Sequence, residues 1–107
     1  METSPPPVAF AVARALPLPP GRRSAEAFRD DTIEIRMAAP PSVGPQVPHD
    51  RDEFYIVATG HGRYRADDAV TEVGPGDLLF AAAHAPHGFE DMSADFAVWV
   101  VFYGPVT

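Results

Sequence analysis

Cysteine is missing from this chain, and so is lysine: all eight basic residues are arginine. The first absence excludes disulfides, thiolate nucleophiles and thiolate metal sites, and it fits a reducing compartment such as the cytoplasm. The second excludes Schiff-base chemistry and a lysine general base. Positive charge is scarce as a whole, with a formal net charge of −7 and a pI near 4.8. Nucleic acids and anionic membrane surfaces are recognised through clustered basic residues, so neither is an expected partner. No hydrophobic run has the length needed to span a bilayer. The apolar stretch "VAFAVARALPLPP" follows "METSPPP", which holds Glu2 and no basic residue, and it reads as mature chain rather than as a secretion signal.

What is present fits one globular domain. At 107 residues the chain is long enough to bury a core and too short for a second. The thirteen prolines fall mostly between short apolar or alternating runs, where strand pairing tolerates them. "TSPPP" at 3–7 and "LPLPPG" at 16–21 read as extended breakers, and "RRSAEAF" fits either one helical turn or an edge strand. Beyond residue 30 the sequence reads as strands. "DTIEIRMAA" alternates, "EFYIVATG" stops at Gly60, "GRYRA" runs to the turn "DD", "VTEV" leads into "GPGD", and "LLFAAA" and "DFAVWVVFYG" are apolar. Such lengths, with Gly, Pro and Asp punctuation and no convincing amphipathic helix, predict an all-β fold, an antiparallel sandwich or barrel. The expected division is an N-terminal arm and edge segment over 1–30 and a barrel over 31–107.

With thiols excluded, histidine and carboxylate are the side chains left for metal chemistry. His49 stands four residues before Glu53, and His87 follows a proline-containing loop. Two imidazoles and a carboxylate suit Fe(II), Mn, Ni or Zn and leave open positions for substrate or water. In this reading His49 and Glu53 face each other across a tight hairpin at "DRD", and His87 arrives from a separate hairpin.

The segment from about Gly44 to Asp91 resembles the cupin superfamily. Gly44, His49, Glu53 and Gly60 fit the first motif of that family, and Gly76, Asp77 and His87 fit the second. There are departures: Val47 stands at the first motif histidine, Ala82 and His84 at the usual Pro and Gly, and Asp91 at the usual Asn. The resemblance implies a small single-domain cupin, an antiparallel jelly-roll barrel with a divalent metal on His49, Glu53 and His87. Gln46 and His84 are further candidates for a fourth ligand or a pocket position. Strand parity from Glu53 and His87 makes Tyr55 and Phe89 candidate pocket-lining aromatics.

Other polar residues have simpler roles. Asp77 in "PGD" is expected to form the turn with its side chain, His61 to sit in a solvated turn, Arg63 and Arg65 to form a solvated strip, and Arg51 to point to solvent. Two functional classes follow. One is a metal-dependent enzyme of oxygenase, isomerase or lyase type acting on a small molecule. The other is a non-catalytic module binding a sugar or small organic acid. The apolar closing strand suggests a homodimer, with the N-terminal arm packed on the barrel or exchanged with a partner.

Overall fold

The computed structural model describes residues 4–45 and 50–105. Among the described residues, nine strands, β1 (Ala25–Arg29), β2 (Ile33–Ala38), β3 (Gly44–Pro45), β4 (Asp52–Thr59), β5 (Gly62–Ala66), β6 (Ala69–Val73), β7 (Leu78–Ala81), β8 (His87–Glu90) and β9 (Ala97–Tyr103), follow one short helix, α1 (Phe10–Ala13). They form a five-stranded sheet in the order β1-β2-β9-β4-β7 and a four-stranded sheet in the order β3-β8-β5-β6. Every strand pair is antiparallel. The all-β barrel expected from the short punctuated runs is thus the fold observed.

The core lies between the sheets and follows from period-2 alternation. On β4, Glu53, Tyr55 and Val57 are buried while Asp52 and Ile56 are exposed. On β7, Leu79 and Ala81 turn inward, and Leu78 and Phe80 outward. Tyr55, Phe89 and Phe96 are the largest fully buried apolar side chains, and Phe89 contacts both others edge-on, at ring separations of 5.0 and 5.5 Å.

β2 breaks the simple rule. Its register with β9 and β4 sets Arg36, Val100 and Tyr55 in one inward row, and Glu34, Phe102 and Glu53 in the next. Ile33 and Ile35 therefore face outward. The outer face at the Met37 end of β2 is covered by the N-terminal arm: Ala13 packs with Met37 and Ala97, and Phe10 meets Trp99 edge-on. "RRSAEAF" resolves as the edge strand β1.

One sequence expectation fails here. β3 and β4 belong to different sheets, so the "DRD" stretch is a crossover between sheets and not a hairpin turn. The apolar closing strand β9 lies between β2 and β4, and its hydrophobicity is that of a central strand, with Tyr103 at its end exposed on the outer face.

Two turns set the barrel corners. At Gly60 the backbone takes φ 75°, and His61 is pinned on both sides, its N–H donating to Ser93 Oγ and its carbonyl accepting from Ser93 N. At "GPGD", Asp77 Oδ2 accepts from Gly74 N at 2.8 Å, the expected side-chain turn. Gly76 N and Val57 N then tie that turn to β4.

Candidate functional site

Glu53 and His87 meet inside the barrel. Glu53 projects inward from the start of β4 and His87 from the start of β8, one from each sheet, and each side chain is only 1% exposed. Glu53 Oε1 lies 2.6 Å from His87 Nε2. The partners that hold them are specific. Tyr55 Oη donates to Glu53 Oε1 at 2.8 Å, and His87 Nδ1 lies 2.9 Å from the Ala85 carbonyl.

That carbonyl can only accept, so Nδ1 carries a hydrogen. Nε2 therefore meets a carboxylate oxygen with either a proton or a lone pair. A bare lone pair 2.6 Å from a carboxylate is repulsive, so at this separation the two atoms share a proton; a cation held by both would set them further apart.

Burial pulls the His87 pKa down, but the hydrogen bond to Glu53, the Ala85 carbonyl and the Glu53 charge together outweigh it, leaving a net upward shift. Burial above all, then the Glu53 charge and hydrogen bond, push the Tyr55 phenol far up. Tyr64, beside it and bonded to the Phe80 carbonyl at 3.0 Å, is raised by burial and by the Glu53 and Asp67 charges. Both phenols stay neutral and act as donors, so neither serves as a base near neutral pH.

Neighbouring contacts fix the ends of the strands that carry the pair. Asp52 Oδ1 accepts from Ala83 N at 2.8 Å, tying the start of β4 to the loop that delivers His87. Arg51 does not point to solvent as expected. Its Nε donates to the Gly104 carbonyl and its Nη2 to the Thr32 carbonyl, both at 3.1 Å, so it clamps β4 to the ends of β9 and β2.

A 390 Å³ cavity opens beside Glu53 and Tyr55, with Val100 and Phe102 along its wall and Arg22, Arg23, Arg36 and Arg51 among its lining. Phe89 is fully buried against Tyr55 and lines a smaller recess with His87. His84 is exposed on the loop at φ 67° and lines neither. His49 and Gln46 lie outside the described residues. Among the described residues no group of three or more metal-ligating side chains forms, so Glu53 and His87 are the two ligand candidates brought together there.

Arg36 and Ser24 were not singled out from the sequence. The signal was the alternation in "IEIRM", which marks two faces without saying which is inner.

Residues 34–103 match the family described as Cupin domain, and the chain belongs to that family. An uncharacterized protein of Streptomyces coelicolor is 35% identical over 60 residues, which cover 56% of this chain and 57% of that protein's length. Solved structures share the fold. A cupin superfamily protein from Desulfitobacterium hafniense DCB-2 has a TM-score of 0.62 at 21% identity, over 77% of this chain and 76% of its own. KdgF from a Halomonas species has a TM-score of 0.66 at 19% identity, over 77% of each chain. The DMSP lyase DddQ from Ruegeria pomeroyi DSS-3 has a TM-score of 0.65 at 19% identity, over 94% of this chain and 56% of its own.

Proposed function

We propose that this cupin is a metal-dependent enzyme acting on a small organic molecule, with Glu53, His87 and His49 as metal ligands. The observation that carries the reading is the buried approach of Glu53 Oε1 to His87 Nε2, with the far nitrogen of the imidazole tied to Ala85. That is the orientation a histidine ligand needs, with a backbone carbonyl setting its tautomer and the other nitrogen turned toward the Glu53 carboxylate. The donor set fits Fe, Mn, Ni or Zn. Such an ion polarises a substrate oxygen as a Lewis acid or, as iron, supports dioxygen chemistry.

The chain's own residues supply the rest. Tyr55 orients the Glu53 carboxylate and presents a neutral phenol to the cavity. Val100 and Phe102 exclude water from one wall. Oxygenase, isomerase and lyase chemistry all suit this arrangement, one solved neighbour being named a DMSP lyase, and fold does not select among them.

A second reading has an observation of its own. With a proton between them, Glu53 and His87 form a self-contained ion pair, which suits a non-catalytic barrel binding a sugar or small organic acid.

Elemental analysis of protein purified without chelator or affinity tag separates the two. The enzyme reading expects about one Fe, Mn, Ni or Zn per chain, lost in His49→Ala, Glu53→Gln and His87→Ala. No metal in the wild type, even after reconstitution, overturns it and leaves the binding barrel.

The same reading has two copies of the chain pairing through the outer face of the five-stranded sheet. Its support is the exposure of Ile56, Leu78, Phe80 and Tyr103 on that face. It also places the protein in the cytoplasm, supported by the absence of cysteine. Among the described residues no helix is long and apolar enough to cross a membrane.

A further inference from the structure

Half of the chain's eight basic residues line one cavity. Arg22, Arg23, Arg36 and Arg51 surround the space that reaches Glu53 and Tyr55, in a chain whose formal charge is −7. Three carboxylates share that lining, Glu34, Asp50 and Glu53, so arginine is in excess by one. Two of these carboxylates are also committed to other groups. Glu53 faces His87. Glu34 is shared among three guanidiniums, at 2.9 Å from Arg36, 3.1 Å from Arg29 and 4.0 Å from Arg51.

Arg36 is the innermost of the four, its side chain 5% exposed. Ser24 grips one edge of the guanidinium: Nε donates to Ser24 Oγ at 2.7 Å and Nη2 to the Ser24 carbonyl at 2.6 Å. Nη1 donates to Glu34 at 2.9 Å. A guanidinium has five N–H groups. Three are used among the described residues, which leaves one on each terminal nitrogen, the number that the two oxygens of an oxyanion accept. Locked in this way, the group binds with little further loss of rotamer freedom.

The sheet register sets the distance from Arg36 to Tyr55, the residue that holds Glu53. Arg36 is opposite Val100, and Val100 opposite Tyr55, so two strand spacings, about 10 Å, separate Arg36 from Tyr55. Val100 forms an apolar floor between them.

We propose that the cavity takes a small organic oxyanion, a carboxylate or phosphate ester. Its charged group is held by Arg36, its entry favoured by Arg22 and Arg23, and its uncharged end carried over Val100 to Glu53. The inference rests on the reading that the Glu53 end of the cavity is where chemistry occurs. Arg51, tied to two carbonyls, is a positioning residue.

The test is calorimetric titration of the full chain, chelator-treated and metal-loaded, with malonate and with inorganic phosphate. Wild type, Arg36→Lys and the double variant Arg22→Gln/Arg23→Gln are compared, and the metal content of each is measured. At least one anion is expected to bind wild type, and which one binds identifies the group. Arg36→Lys keeps the charge but loses the planar fork, and should bind about tenfold more weakly. The double variant should bind more weakly and with a shallower dependence on salt.

Circular dichroism checks the folding of Arg36→Lys. If it fails to fold, the double variant decides, because both its positions are exposed. The proposal is overturned if neither anion binds, or if folded variants bind as wild type does. Failure of the metal reading is visible separately. Arginine-dependent anion binding in a protein that never takes up metal sustains this proposal and sinks that one, and metal bound without anion binding does the reverse.

Discussion

Tyr55 shows how one hydroxyl bears both on the stability of the barrel and on the proposed metal site. Its Oη is a hydrogen-bond donor to a buried carboxylate oxygen that also meets His87 Nε2. Tyr55→Phe should lower unfolding stability by about 1.5–3 kcal/mol in urea titrations, the range for losing a hydrogen bond to a charged group. Metal affinity should fall about 10–100-fold, as when an outer contact to a ligand is removed. His87 gives a pH signature. Its folded pKa is raised above its ordinary 6.5, so the stability it contributes is fully present below that value and is lost as pH rises through the folded pKa. Chelator-treated protein should therefore show a denaturation midpoint that declines as pH climbs above about 6.5. His87→Gln should remove that decline, and an unchanged slope would assign it to another group.

At the scale of elements, the corners position the site. The Gly60 corner turns the chain from β4 in one sheet to β5 in the other. A Cβ there would lie 2.6 Å from Ser93 Oγ and 2.7 Å from Phe96 Cα, at φ 75°. Rotating Ser93 cannot relieve the clash with backbone, and the left-handed conformation adds its own penalty. Gly60→Ala should cost about 2–4 kcal/mol in chemical denaturation. Gly44 and Gly76 also have positive φ but open space around a built Cβ, so alanine there meets conformational strain alone and should cost less.

The sequence was legible to different depths at these places. Gly60, Gly76 and Asp77 are punctuation with a local cause, and the turns they predict are present. Glu53 and His87 stand at spacings that a two-sheet barrel brings into contact. Arg51 was misread because Asp-x-Asp suggests a turn, whereas its partners are carbonyls of residues 19 and 53 positions away, which no local pattern reveals. Arg36 escaped notice for a related reason. Alternation in β2 separates isoleucines from charges, and only pairing with β9 turns the charges inward.

At the scale of the whole molecule, charge and apolar surface are divided between the two faces of the five-stranded sheet. Its inner face ends in the arginine-lined cavity. Its outer face carries the cluster of Phe54, Phe80 and Tyr103, with Phe80 62% exposed. An aromatic patch of this kind on an acidic chain favours association. Sedimentation velocity should show a dimer that Phe80→Glu converts to a monomer whose circular dichroism spectrum matches wild type, because the side chain is outside the core. A wild-type monomer at micromolar concentration would contradict the pairing.

The central claim is that Glu53 and His87 are metal ligands. The most direct measurement is a crystal structure of metal-reconstituted protein with anomalous data collected above and below the metal's absorption edge. The account predicts an anomalous peak about 2.0–2.2 Å from both His87 Nε2 and a Glu53 carboxylate oxygen, with His49 completing the set. Density showing Glu53 and His87 in direct contact, with no anomalous peak between them, would contradict it.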